Sequence, residues 1–341
     1  MSNSITIIGS LNYDMVTYTY VLPEAGQTVL SNHFECHYGG KGLNQAISAG
    51  KLLAPDSQTI VRMVGKIGND SFGKELKQYL EDNRVSASHV STEKDVCTGI
   101  ATIIVEQESG ENRILCTPGA NGKLILTDNE LETVFEDEKD RDYPGFVILQ
   151  NEQPDPVSCI SWIKSHRPNL IITYNPSPFN EEILLDKRIW SCVNVLVVNE
   201  GEALTCVKQL NSFSVSEIKD KINSNLVHGY TILAKELNRV LNPESGYSLV
   251  VITLGSQGSV YATDIESQYI PSLQVEPSKI VDTTGAGDTF LGALVVKLAQ
   301  KEPIEEAIRF ATAASSLTVQ RRGAAESIPQ YEDVISLLES H

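Results

Sequence analysis

Near the carboxy terminus, Val281-Asp282-Thr283-Thr284-Gly285-Ala286-Gly287-Asp288-Thr289-Phe290 combines an apolar lead-in, a Gly-Ala-Gly turn and a carboxylate ahead of a long apolar run. The pattern predicts a helix that begins in the turn. A helix start leaves backbone N–H groups unpartnered and carries partial positive charge, so it attracts anions. Gly285 and Gly287 beside the small Ala286 would let a large anion touch the backbone. Asp288 then falls in the first turn, where a bound anion would repel it. A carboxylate there makes chemical sense if it accepts a proton from an incoming hydroxyl while a phosphoryl group moves. A dipole-favoured acid capping the helix, with no chemistry, accounts for the stretch equally well.

A second glycine-rich turn, Tyr38-Gly39-Gly40-Lys41-Gly42-Leu43-Asn44-Gln45-Ala46, also precedes a helical pattern. A helix entry explains one glycine and leaves the others to close approach of a ligand, with Asn44 offering an amide in the first turn. Asn12 and Asp14 follow the first strand, and Glu152 follows another, at the carboxyl ends where open α/β sheets bind ligands. Asn and Asp together suit a polyhydroxy compound; an Asx turn is the alternative. Asn199-Glu200-Gly201-Glu202 follows a further strand, where a carboxylate could hold a water-clad magnesium ion or simply cap a helix. Thr253-Leu254-Gly255-Ser256-Gln257-Gly258 reads as either a tight hairpin or a nucleotide shelf. The P-loop pattern is absent, since Gly40-Lys41 runs into Gly42, and Phe290 stands where a dinucleotide fingerprint needs its third glycine.

The elements that must carry these residues show in the hydrophobic pattern. Ile5–Leu11, residues 60–64, and the runs at 146–150, 170–174, 194–198 and 249–254 read as buried strands separated by stretches able to form helices. That rhythm predicts a doubly wound α/β fold with a mainly parallel sheet flanked by helices. Residues 41–54 and 74–80 read as helices, as does the apolar run after Asp288, and Pro303 starts another. Residues 208–247 are weakly patterned and could hold extra helices. Length alone suggests about two domains, but the absence of a linker favours one domain over 1–341, with the β-rich segments about 15–38 and 97–117 forming a small sheet outside it. The net charge of −17 argues against nucleic acid. The acidic run 128–142 is expected to be a solvated helix and loop. Six cysteines without regular spacing read as unpaired buried thiols in a reducing compartment. No signal peptide or membrane-length apolar run is evident, so a cytoplasmic location is expected, with nuclear presence allowed.

Taken together, the two long motifs and the elements around Asn199, Thr253 and Arg321-Arg322-Gly323-Ala324-Ala325 resemble the phosphofructokinase-B (ribokinase-like) carbohydrate kinases, and within them those that phosphorylate ribose. The resemblance runs from Ile5 to about Ser327. It implies transfer of phosphoryl from ATP to the 5-hydroxyl of D-ribose, with Asp288 as base and the amides of Gly285, Ala286 and Gly287 as anion hole. The sugar would meet Asn12, Asp14, Gly40, Lys41, Gly42, Asn44, Glu152 and Asp288. The nucleotide would meet Asn199, Thr253, Leu254, Gly255, Ser256, Gln257, Gly258, Gly287, Asp288 and Thr312. Magnesium would be held through waters at Glu202. Potassium would lie at Asp282, Thr284, Thr318, Arg321, Gly323 and Ser327. The small sheet would act as a lid over the sugar and pair with a second copy, giving a homodimer. A fructokinase-like specificity, or a non-catalytic sugar sensor, are the alternatives.

Overall fold

The apolar runs of the sequence become strands of one large sheet. The computed structural model describes residues 3–108, 111–138, 144–179, 187–210, 214–241 and 247–340. In chain order the strands are β1 (Ser4–Ile8), β2 (Asn12–Thr19), β3 (His33–Gly39), β4 (Ile60–Gly68), β5 (Val85–Glu93), β6 (Gly99–Glu106), β7 (Asn112–Thr117), β8 (Phe146–Gln150), β9 (Ile171–Asn175), β10 (Val195–Asn199), β11 (Leu249–Thr253), β12 (Ser259–Ala262) and β13 (Ser267–Ile270). The helices are α1 (Lys41–Lys51), α2 (Ser71–Asp82), α3 (Asp128–Val134), α4 (Pro156–His166), α5 (Lys187–Cys192), α6 (Glu200–Leu210), α7 (Val215–Ser224), α8 (Leu226–Asn238), α9 (Ala286–Ala299), α10 (Ile304–Thr318) and α11 (Tyr331–Glu339).

The large sheet has the order β13-β12-β11-β10-β9-β8-β1-β4-β5. From β11 to β5 the neighbours run parallel, and β12 and β13 add an antiparallel edge. Alternation along the strands sends side chains into two cores. Ile5 and Ile7 pack with α1, α2, α9, α10 and α11 on one face. Ile8, Val147 and Leu149 pack with α3 to α8 on the other. Burial of both faces is why these strands read as continuous apolar runs. Parallel register also aligns the carboxyl ends of β1, β8, β10 and β11, with Ile8 opposite Leu149 and Asn199 opposite Thr253.

The second sheet, β3-β2-β6-β7, joins the two β-rich segments expected outside the main sheet. Three strands lack the apolar signal and were not anticipated: β5, whose Val85–Glu93 stretch is rich in serine, and the short β12 and β13. The weakly patterned region is mainly helical where it is described, as the end of α6 and all of α7 and α8; residues 211–213 and 242–246 of it lie outside the described residues.

Two expectations need correction. The acidic run is not wholly solvated: Glu138 is buried and accepts from Ser4 Oγ at 2.6 Å, while Arg62 pairs with Asp137 at 2.8 Å and with Glu138 at 3.5 Å. Arg62 on β4 is itself buried, and a buried guanidinium requires carboxylates. Its remaining residues 139–142 lie outside the described residues. None of the six cysteines is placed in a disulfide among the described residues, but only Cys159 and Cys206 are buried; Cys36, Cys97 and Cys116 are exposed. Cys36 and Cys116 sit on strands of the small sheet, which has too few layers to bury both faces.

Candidate active site

The Gly-Ala-Gly turn opens α9 as the sequence suggested. Gly285 has φ 75°, a left-handed conformation that a side chain would strain, and the helix behind it is buried along nearly its whole length. Thr289 N–H closes the first turn on Gly285 O at 2.8 Å, and Ala286 N–H donates to Thr283 O at 3.3 Å. The N–H groups of Gly285, Gly287 and Asp288 make no hydrogen bond among the described residues. The donors open to an anion at this helix start therefore include Asp288's own amide, while that of Ala286 is engaged.

Asp288 is buried, and both its oxygens are engaged from α1: Asn44 Nδ2 donates to Oδ2 and Gln45 Nε2 to Oδ1, each at 2.9 Å. The second glycine-rich turn therefore exists to bring α1 against α9. Gly42 allows this, because a Cβ on it would lie 2.6 Å from the backbone of Gly9 and Ser10. Leu43 N–H donates to Ser10 O at 2.9 Å, so the helix start is tied to the end of β1. Glu152, beyond β8, accepts from Ser10 Oγ and from Lys41 N–H at 2.8 Å. Asn12 accepts at 2.7 Å from Asn121, which also clasps the backbone of Leu11. Asn44 Oδ1 is buried with no partner among the described residues, leaving an acceptor for a ligand hydroxyl.

Charge gathers at this end. Burial, with Glu152 and Glu326 nearby, pushes the Asp14 carboxyl up to about 7, and His37 opposes the shift. For Lys41 burial works against the ammonium, but the carboxylates of Asp288, Glu152 and Glu202 outweigh it and hold its pKa above the ordinary lysine value.

On the other side of the turn lies a cavity of about 440 Å³. Of the anticipated nucleotide residues, Thr253, Gly255, Ser256, Gly258, Gly287 and Thr312 line it. Leu254 is instead in the core, and Gln257 uses its carbonyl to accept from Tyr269 OH at 2.7 Å. Asn199 pairs by register with Thr253 but, like Asp288, is not part of the lining. Sequence reasoning missed the wall formed by Ser272 to Val275, Ile280, Phe290 and Ser315, which carries no motif. It also gave no role to Ser10, Asn121, Gln45 or Gln150. Thr253–Gly258 forms the β11–β12 hairpin, and its turn lines the cavity.

Asn199 and Glu202 cap each other, through Asn199 N–H to Glu202 Oε2 at 3.0 Å and Glu202 N–H to Asn199 Oδ1 at 2.9 Å. Asp282 accepts from Thr284 N–H at 2.9 Å and from Gly323 N–H at 3.2 Å, joining the two segments expected to hold a monovalent cation. The main-chain carbonyls of Asp282, Thr284, Arg321 and Gly323 accept no backbone hydrogen bond among the described residues. Thr318 is buried, its hydroxyl donating to Thr289 Oγ1 at 3.1 Å, Ser327 donates to Ala324 O, and the Arg321 side chain turns to Asp333. Lys51, at the far end of α1, donates to Ala325 O and Ile328 O, and burial lowers its pKa to about 8.

Residues 2–331 match the pfkB family carbohydrate kinases. The chain belongs to that family. This pfkB kinase is 35% identical to the ribokinase of Schizosaccharomyces pombe over 336 residues, covering 97% of this chain and 96% of that protein. Its fold is similar to the ribokinase of Cryptococcus neoformans var. grubii serotype A solved in complex with ADP, with TM-score 0.80, 27% identity and coverage of 98% and 100% of the two chains. It is also similar to the Arabidopsis thaliana ribokinase complexed with ribose and ATP, with TM-score 0.79, 27% identity and 99% of each chain covered.

Proposed function

We propose that this pfkB kinase transfers the terminal phosphoryl group of ATP to the 5-hydroxyl of D-ribose, giving ribose 5-phosphate and ADP. The observation that carries the reading is the position of one turn between two differently built spaces. Gly287 and Ala286 line the cavity with the small and hydroxylic residues, and the next residue, Asp288, is bonded to Asn44 of the polar cluster. Full-length similarity to ribokinases, one of them solved with ribose and ATP, supports ribose as the sugar.

In this reading ribose donates and accepts hydrogen bonds at Asn12, Asp14, Asn44 and Glu152, and Asp288 takes the proton of the reacting hydroxyl as the phosphoryl group arrives. The free amides at the start of α9 stabilise charge on that group without reorganising. The nucleotide occupies the 440 Å³ cavity. Magnesium accompanies ATP and neutralises phosphate charge; Glu202, with one oxygen engaged in the cap, has a second for the waters of such an ion. The all-oxygen set at Asp282, Thr284, Thr318, Arg321, Gly323 and Ser327 fits a weakly hydrated monovalent cation such as potassium, which would stiffen the turn.

The chain is read as one domain with the small sheet as its lid. Phe34, Ile114 and Leu115 leave apolar surface exposed on that sheet, which supports pairing with a second copy. Light scattering should give twice the chain mass; a monomer at micromolar concentration contradicts it. Three exposed unpaired thiols support a reducing, cytoplasmic setting. Among the described residues no helix is long and apolar enough to cross a membrane.

The test of the reaction is ADP release with ATP and a panel of ribose, 2-deoxyribose, fructose and adenosine. Ribose should give the highest kcat/KM, because polar groups built for its hydroxyls are left unpaired by analogues that lack them. A higher value for fructose or adenosine contradicts ribose as the substrate.

A further inference from the structure

Asp288 is held by a file of buried amides that none of the steps above uses. Its Oδ1 accepts from Gln45 Nε2 at 2.9 Å, and Gln45 Oε1 accepts from Gln150 Nε2 at 2.6 Å. Gln45 and Gln150 are wholly buried. Gln150 ends β8, and its own oxygen, without a partner among the described residues, packs against Gly9, where a Cβ would collide with it. The two helices that meet over this file are pinned by Ser48 Oγ donating to Thr289 O at 2.8 Å.

The order of donors in this file is not arbitrary. A glutamine amide presents donors on one side and an acceptor on the other, and turning it over exchanges them at little steric cost. Turned over, Gln45 would set its oxygen against the Asp288 carboxylate and its NH₂ against that of Gln150. The Asp288 carboxylate, which only accepts, selects the orientation in which Gln45 donates, and donation from Gln150 to the Gln45 oxygen holds that amide in place. Asn44 secures only the other carboxylate oxygen, and a sugar hydroxyl can compete for that amide. Two buried amides are an expensive way to fill core space, and apolar side chains of the same size would fill it better.

We propose that Gln45 and Gln150 are positioning residues for the phosphoryl transfer, a two-amide relay that holds the Asp288 carboxylate in the orientation from which it receives the sugar's proton. The inference rests on Asp288 being the base. It assigns to Gln45 an effect on turnover and to Gln150 an effect exerted only through Gln45.

The experiment compares the full chain with Gln45→Met, Gln150→Met, the double variant and Asp288→Asn, using ATP and ribose and recording kcat, both KM values and the unfolding midpoint. Gln45→Met should lower kcat by roughly tenfold or more, the worth of a hydrogen bond to a charged group, with KM for ribose and ATP little changed. Gln150→Met should cost less, and nothing further once Gln45 is gone, since residues acting in series are not additive. Gln45→Glu keeps the side chain's size and serves if the methionine variant does not fold. Its neutral carboxyl can donate to Asp288 and its ionised form cannot, so its kcat relative to the parent should rise as pH falls. A kcat for Gln45→Met equal to the parent's, a Gln45→Glu kcat whose ratio to the parent's does not change with pH, losses confined to the unfolding midpoint, or additive effects in the double variant would overturn the relay. If Asp288→Asn retains turnover, the base assignment itself has failed; an inactive Asp288→Asn beside an unimpaired Gln45→Met removes the relay alone.

Discussion

The two ends of the active-site cleft are built on opposite principles. At the proposed sugar end, side chains from β2, α1, the β8 terminus and α9 are cross-braced by the protein itself: Asn121 on Asn12, Ser10 and Lys41 on Glu152, Asn44 and Gln45 on Asp288. Several are charged and half-buried or buried, which displaces the pKa of Asp14 and of Lys41. The proposed nucleotide end is a cavity walled by threonine, serine, glycine, Gln274 and apolar side chains, with no charged residue in its lining among the described residues. The difference teaches where specificity resides. A polyol is recognised by directed hydrogen bonds whose loss leaves buried partners unpaired, whereas an adenine and ribose moiety is accommodated by shape and backbone. Substitutions should therefore be costly at the first end and mild at the second.

The largest effect short of the base itself is expected from Asp14. Asp14→Asn should raise KM for ribose by roughly 10–100-fold, the range for a hydrogen bond to a charged group, with KM for ATP unchanged. The parent should also show a pH signature. Asp14 keeps its proton up to about pH 7, and a sugar hydroxyl donates more strongly to the ionised form than to the neutral one. KM for ribose should thus fall as pH rises through 7, and Asp14→Asn should lose that dependence. The stability consequence has the opposite sense. Between the ordinary carboxylate range and pH 7 the folded chain holds a proton that the unfolded chain has released, so this group's contribution to stability declines as pH rises. Denaturant midpoints of the parent and Asp14→Asn across that window should converge at low pH and favour the variant at high pH.

A several-fold rise in turnover is expected when potassium replaces sodium at constant ionic strength and magnesium, weakened in Asp282→Ala. Equal rates in the two salts would remove the cation from the mechanism. The smallest effect belongs to the nucleotide wall. Thr312→Val should raise KM for ATP by about two- to tenfold, as for a single neutral hydrogen bond, and leave ribose kinetics alone. A loss there as large as that of Asp14→Asn would erase the contrast between the ends.

What the sequence discloses follows the same division. Both glycine turns, and the strands β1, β8, β10 and β11 that lead into the site, are legible because a local rule demands each residue. Gly42 must let α1 touch β1, and Gly285 must take a left-handed turn. The fold class follows from strands buried on both faces. What stays hidden is long-range or lacks a period. Asn121 braces Asn12 across 109 positions, and Gln150 reaches Gln45 across 105. The cavity wall at Ser272 to Val275 has no regular structure to announce it. Glu138 looks like one more acid in an acidic run, and only the buried Arg62 on a distant strand reveals its place.

The central claim is that one carboxylate, at the turn shared by both ends, accepts the proton as phosphoryl passes between them. Single-turnover formation of ribose 5-phosphate by Asp288→Asn, with saturating ATP and ribose and with binding of each checked separately, tests it most directly. The chemical step should slow by roughly 10²–10⁴-fold while both ligands still bind. Turnover within a few fold of the parent's would contradict it.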